Sequence, residues 1–140
     1  MTTLAAWLCM LLAPQPAPPT LLLVTGAGGS DEFRTQFEAA TDSWRQHADE
    51  AGMEVLQVGE EKDGKIPRDQ LQDLLQTLSS ESPQPLWIVF VGHGTYAQKK
   101  AKFNLVGPDL SAQELGSWIE RFQRPVAVIF SAKSKASRRP

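Results

Sequence analysis

The stretch Val89-Phe-Val-Gly-His-Gly-Thr95 places His93 between two glycines at the end of an apolar run. An imidazole in that position emerges at the rim of a sheet, where it can accept or deliver a proton. Gly94 lets the backbone approach a ligand closely, which makes its amide a candidate oxyanion donor. The bland alternative is a histidine that caps the strand and is satisfied by a loop carbonyl. Ser131 follows the last apolar run, Val126 to Phe130, at another strand end. A serine works as a nucleophile only with a well-placed base beside it. The loop Gly26-Ala-Gly-Gly-Ser30 offers amides to a phosphate. It does not complete G-x-G-x-x-G, because Asp31 takes the third glycine's place, and no lysine follows. Asp31 and Glu32 would also repel an anion, so the loop reads first as a tight β–α turn. His47 sits among polar residues of a helix and reads as surface.

The elements that must position these residues alternate strand and helix. Thr20 to Val24 is a short apolar run, the pattern of a buried strand. Ser30 then caps a helix in which Phe33, Phe37, Ala40, Trp44 and Ala48 share one face, ending near Gly52. Val55 to Val58 reads as a second strand. Pro67 opens a helix carried by Leu71, Leu74, Leu75 and Leu78. Leu86 to Val91 is the strongest strand in the chain, and Phe103 to Val106 is expected to add a short one. Ser111 with Glu114 forms a capping box for a helix through Leu115, Trp118 and Ile119, and Val126 to Phe130 is the last strand. The order predicts an α/β fold: three α-β-α layers around a mostly parallel sheet. Such a sheet keeps its chemistry beyond the C-terminal strand ends, where Gly26–Ser30, Gly92–Thr95 and Ser131 all fall.

Composition narrows the function classes. The 140 residues include 14 basic and 16 acidic ones, for a net charge of −2, too near neutral for a nucleic-acid footprint. Lys133, Lys135, Arg138 and Arg139 crowd the last eight positions, so residues 131–140 read as a basic, disordered tail on an acidic body. The single cysteine, Cys9, excludes an internal disulfide and a cysteine-built zinc site, and two histidines are too few for a histidine cage. No cofactor is expected. Residues 1–19 read as a signal peptide or hydrophobic N-terminal segment. Leu4 to Ala13 is an uncharged run of h-region length, too short for a stable membrane span, and small residues and prolines follow it. The n-region lacks Lys and Arg. Export to the periplasm or the exterior is the expectation if that segment is a signal peptide, and a cytoplasmic location otherwise.

A hydrophobic strand ending in His-Gly, then a loop, an acidic-capped helix and another hydrophobic strand resembles the legumain- and caspase-like cysteine peptidases. The phrase VGHGTYAQKKAKFNLVGPDLSAQEL carries the likeness, and Leu86 to Phe130 looks most like bacterial, legumain-like members. In that family the histidine after this strand is the general base or acid and the following glycine amide helps to bind the oxyanion. The resemblance gives those roles to His93 and Gly94, and it implies a caspase-like fold over residues 20–130. The chain departs where the family's nucleophilic cysteine stands, because it reads Ser131-Ala-Lys-Ser134 there. The family fold also continues past this strand, so the expectation is a domain truncated after its fourth strand. Three readings follow. The first is a truncated or degenerate peptidase domain, inactive on its own and prone to self-association through the exposed sheet edge. The second is a pseudo-enzyme module that binds a peptide or protein. The third is a nucleotide-binding domain using Gly26 to Gly29.

Overall fold

The computed structural model describes residues 15–131. The segment read as a signal peptide lies mostly outside these residues, and so does the basic tail beyond Ser131. Strand β1 (Thr20–Thr25) is the centre of the fold. Leu21 to Val24 are at most 2% exposed, because parallel strands flank β1 on both sides and helices cover both faces. Its neighbours are β2 (Glu54–Val58) and β3 (Leu86–Val91). Beyond β3 lies β7 (Val126–Ser131), giving the order β2-β1-β3-β7 with every pair parallel.

Helix α1 (Asp31–Glu50) is started by Ser30, whose hydroxyl accepts from the Phe33 amide. Its apolar stripe, Phe37 and Ala48 with Phe33, Ala40 and Trp44, covers Leu21, Leu23, Val89 and Val91. Helices α2 (Pro67–Thr77) and α3 (Ala112–Ile119) cover the other face. There Leu71, Leu75 and Leu115 join Leu22, Val24, Ile88 and Phe90. The architecture is therefore a three-layer α/β fold, as the order of elements predicts. Two arginines tie these layers to the strand ends. Arg121 donates to the Leu75 carbonyl in the last turn of α2 and to the Leu78 carbonyl just past it, and the buried Arg124 donates to Gln84 and Pro85 just before β3.

One element differs from the expectation. The strand expected at Phe103 to Val106 lies earlier, as β5 (Lys100–Phe103), and pairs antiparallel with β4 (Gly94–Ala97). Gln98 and Lys99 make the two-residue turn, both with positive φ, 51° and 61°. That turn geometry matches the twist of the flanking strands, although neither residue is the asparagine or glycine that normally takes positive φ there. A short β6 (Leu110–Ser111) adds to β5. The hairpin stands directly on the C-terminal rim of the parallel sheet, immediately after His93. Among the described residues no helix is long and apolar enough to cross a membrane.

Candidate functional site

Gly26 and Gly92 bring the ends of β1 and β3 unusually close. A Cβ on Gly92 would stand 2.7 Å from the Phe103 ring and 3.1 Å from the Gly26 Cα. A Cβ on Gly26 would meet the Asn104 carbonyl at 2.6 Å. The Phe103 ring fills the space that both side chains would need, and this fixes the hairpin on the rim. The glycine loop's first two amides are already engaged, Gly26 with the Val91 carbonyl at 2.8 Å and Ala27 with the Asn104 carbonyl at 2.9 Å. Asn104 also donates its amide to the His93 carbonyl at 3.0 Å and accepts from the Thr95 hydroxyl. Asn104 is thus the latch between the two loops, a role that its sequence context gave no sign of.

His93 follows this latch, and its ring turns toward α1. It lies edge-on to Phe33, 4.5 Å between centroids, and to Phe37 at 4.9 Å. Phe33 and Phe37 are one turn apart on α1, so they present a paired aromatic surface to the ring. The imidazole is half-buried. Among the described residues neither ring nitrogen has a hydrogen-bond partner, so no carboxylate orients it. Ser131 comes to the neighbouring strand end, because Val91 pairs with Ser131 across β3 and β7. By the alternation of a strand, Ser131 shares its face with Ile129 and points to the α1 side, as His93 does. The register brings them to adjacent strand ends, but no hydrogen bond joins them. Ser131 is exposed, and among the described residues no base engages its hydroxyl.

The Gly94 amide can be placed from the ladder. Asn104 and His93 exchange a hydrogen bond, so the next pair, Gly94 with Phe103, is a non-hydrogen-bonded one. The Gly94 N–H therefore points away from β5, off the free side of β4. Of the three features expected at the site, a histidine, an outward amide and a nucleophile position reach one rim. The activating contacts between them do not form. His47, read as surface, is exposed and bonds only to the Ser43 carbonyl one turn back.

The best-organised polar cluster lies elsewhere. The Ser111 hydroxyl and amide both engage the Glu114 carboxylate, and Arg68 reaches the same group from α2. The Ser111 hydroxyl first, then Arg68, holds the Glu114 pKa down to about 2. This cluster joins α2 to α3, and its full satisfaction marks it as structural. No group of three or more His, Cys, Asp or Glu suitable for a metal occurs among the described residues.

On the opposite face of the same rim is an open apolar groove of about 340 Å³. Phe90, Tyr96, Ala101, Phe103, Leu115 and Phe130 line it. Two of these are unusually exposed for aromatic residues, Tyr96 at 75% and Phe130 at 55%. Sequence reading missed the groove, because the hairpin that forms its far wall was not recognised. No protein-family model matches the chain, and no curated protein does.

Proposed function

We propose that this chain is a degenerate legumain/caspase-like peptidase domain that does not hydrolyse peptides on its own. The observation that carries the reading is the state of His93. It stands after the third parallel strand, followed by an outward glycine amide, yet it is packed against Phe33 and Phe37 with no orienting partner among the described residues. At the adjacent strand end, where the resembling family has its thiol, this chain has the unactivated hydroxyl of Ser131. A hydroxyl without a bonded base is a poor nucleophile near neutral pH. The partners that fit this reading are peptides or proteins and not nucleic acid, with the β7 edge as the place for self-association. Export follows if residues 1–19 act as a signal peptide, and N-terminal sequencing of the mature protein tests that. The engaged amides of Gly26 and Ala27 favour a packing role for the glycine loop over nucleotide binding. The direct test is exposure of the purified chain to peptidyl electrophiles that label peptidase nucleophiles. The expected result is no covalent adduct by mass spectrometry, and an adduct on Ser131 that His93→Ala abolishes would overturn the reading.

A further inference from the structure

We propose that the Asp63–Gly64 peptide bond converts spontaneously to an isoaspartyl linkage through a succinimide, and that the conversion unfastens the loop between β2 and α2. Asp63 is the only aspartate in the chain that precedes a glycine. A glycine has no Cβ, so its nitrogen is open to a neighbouring carboxyl carbon. The space where a Cβ of Gly64 would stand is empty to 4 Å. Both residues are exposed, and among the described residues neither the Asp63 carboxylate nor the Gly64 N–H has a partner. The turn is closed by its flanks instead. The Lys62 N–H donates to the Lys65 carbonyl at 3.1 Å, and the Lys65 N–H donates back to the Lys62 carbonyl at 2.9 Å. These bonds bracket the pair and leave both reacting groups free.

The reaction needs nothing but water. The Gly64 nitrogen bonds to Cγ of Asp63, and its proton leaves with a carboxyl oxygen as water, which closes a five-membered succinimide. Water then adds back at one of the two ring carbonyls. Addition at Cγ restores aspartate. Addition at the main-chain carbonyl breaks its bond to nitrogen, so the chain continues through Cγ and a free α-carboxylate remains. No electron is transferred, and the net change is an isomerisation. Asp63 also holds φ 54°, a left-handed conformation that a residue with a Cβ adopts at a cost, and the β-linked product escapes that restriction.

The same chemistry is blocked where the fold engages its groups. Asp42 precedes the small Ser43, but both lie inside α1, whose ladder uses the Ser43 N–H. Arg45 also holds the Asp42 carboxylate at 2.7 Å. At the Asp63 turn the product has a local consequence. Gln70 of α2 donates to the Glu60 and Lys65 carbonyls, each at 2.7 Å, and the Lys65 ammonium pairs with Asp73. These ties suit a turn of two α-linked residues. A β-linkage puts an extra methylene into the main chain, so Lys62 and Lys65 no longer face each other with both bonds made. None of this depends on the peptidase-like reading.

The test is to age the full chain for several weeks in warm, neutral buffer, digest it, and locate β-linkages by electron-transfer fragmentation. Isoaspartate should accumulate at Asp63 and not at Asp42. Asp63→Glu changes only an exposed side chain and should give none, because the longer side chain closes the small ring poorly. Asp63→Asn should convert several-fold faster, since a neutral carboxamide is attacked more easily than a carboxylate, with ammonia leaving in place of water. In the separated isoaspartyl fraction, hydrogen exchange should quicken at the Lys62 and Lys65 amides. An aged chain without β-linkage at Asp63, when the free peptide Glu60–Ile66 has converted, would overturn the proposal. Equal conversion at Asp42 would assign the reaction to unfolded chains and overturn it as well, and unchanged exchange at Lys62 and Lys65 would overturn the release of the loop.

Discussion

The two faces of the parallel sheet end differently at the same rim. On the α1 face, Val91 leads to His93, whose ring is taken up by Phe33 and Phe37. On the other face, Phe90 leads to a groove with Phe130 more than half exposed at its mouth. Alternate residues of one strand therefore serve opposite ends. The face that holds the imidazole is packed, and the open face is lined mainly by apolar groups, with Thr95, Lys102 and Ser111 among them. Proton transfer needs an imidazole with partners, whereas binding needs unfilled apolar volume and unpaired backbone. The two requirements therefore fall on opposite faces of one rim.

The largest effect that sharpens this contrast comes from paired truncations on the groove face. Phe90→Ala removes a ring that is fully buried between Phe103 and Phe130, and urea unfolding should show a loss of about 3–5 kcal/mol. Phe130→Ala, at a half-exposed ring, should lose only about 1 kcal/mol. Equal losses would mean that Phe130 is core and the groove is closed in solution. Next is Gly92→Ala, where a Cβ meets the Phe103 ring at 2.7 Å and the Gly26 backbone at 3.1 Å. Overpacking there should cost about 1–3 kcal/mol in the same assay, and a neutral result would remove the argument that close approach sets this glycine.

His93→Ala on the α1 face should destabilise by about 1 kcal/mol through its two edge-on aromatic contacts. An unchanged or raised stability would mean that the ring is not packed as described. The smallest effect is on acid stability. Glu114 has a folded pKa of about 2 against an ordinary 4.5, so the stability it contributes is fully present above 4.5 and is lost as pH falls toward 2. Glu114→Gln should therefore flatten the acid limb of a thermal-melting series in that window. An acid limb identical to that of the unsubstituted protein would show that the Ser111–Arg68 cluster does not hold this carboxylate.

Much of the framework was legible because it rests on strong local signals. The apolar runs of β1, β3 and β7 are read directly, since strands covered on both faces need no alternation. The stripe from Phe33 to Ala48 and the Ser111–Glu114 capping box likewise have periods and residue types that suit one conformation. The hairpin was illegible for an equally physical reason. Its turn is Gln98-Lys99, without the Asn-Gly or Asp-Gly that normally supplies positive φ. The contrast is Asp63-Gly64, where φ values of 54° and 74° close a one-bridge turn between Lys62 and Lys65 with the expected residues. Of the candidate site, the position of His93, Gly94 and Ser131 beyond strand ends follows from the alternation of elements, and the β3–β7 pairing brings Ser131 beside the end of β3. The contacts that decide their chemistry were not readable, because a period-3.6 stripe says which face Phe33 and Phe37 occupy and not that an imidazole from β3 will be wedged on it.

The most direct measurement of the central claim is hydrolysis itself. A mixture of synthetic peptides covering varied side chains, incubated with the purified chain and followed by mass spectrometry, should remain intact, as it does with the His93→Ala variant. Cleavage that appears with the unsubstituted chain and disappears on His93→Ala would contradict the claim, because the imidazole would then be working as a base despite its place between Phe33 and Phe37.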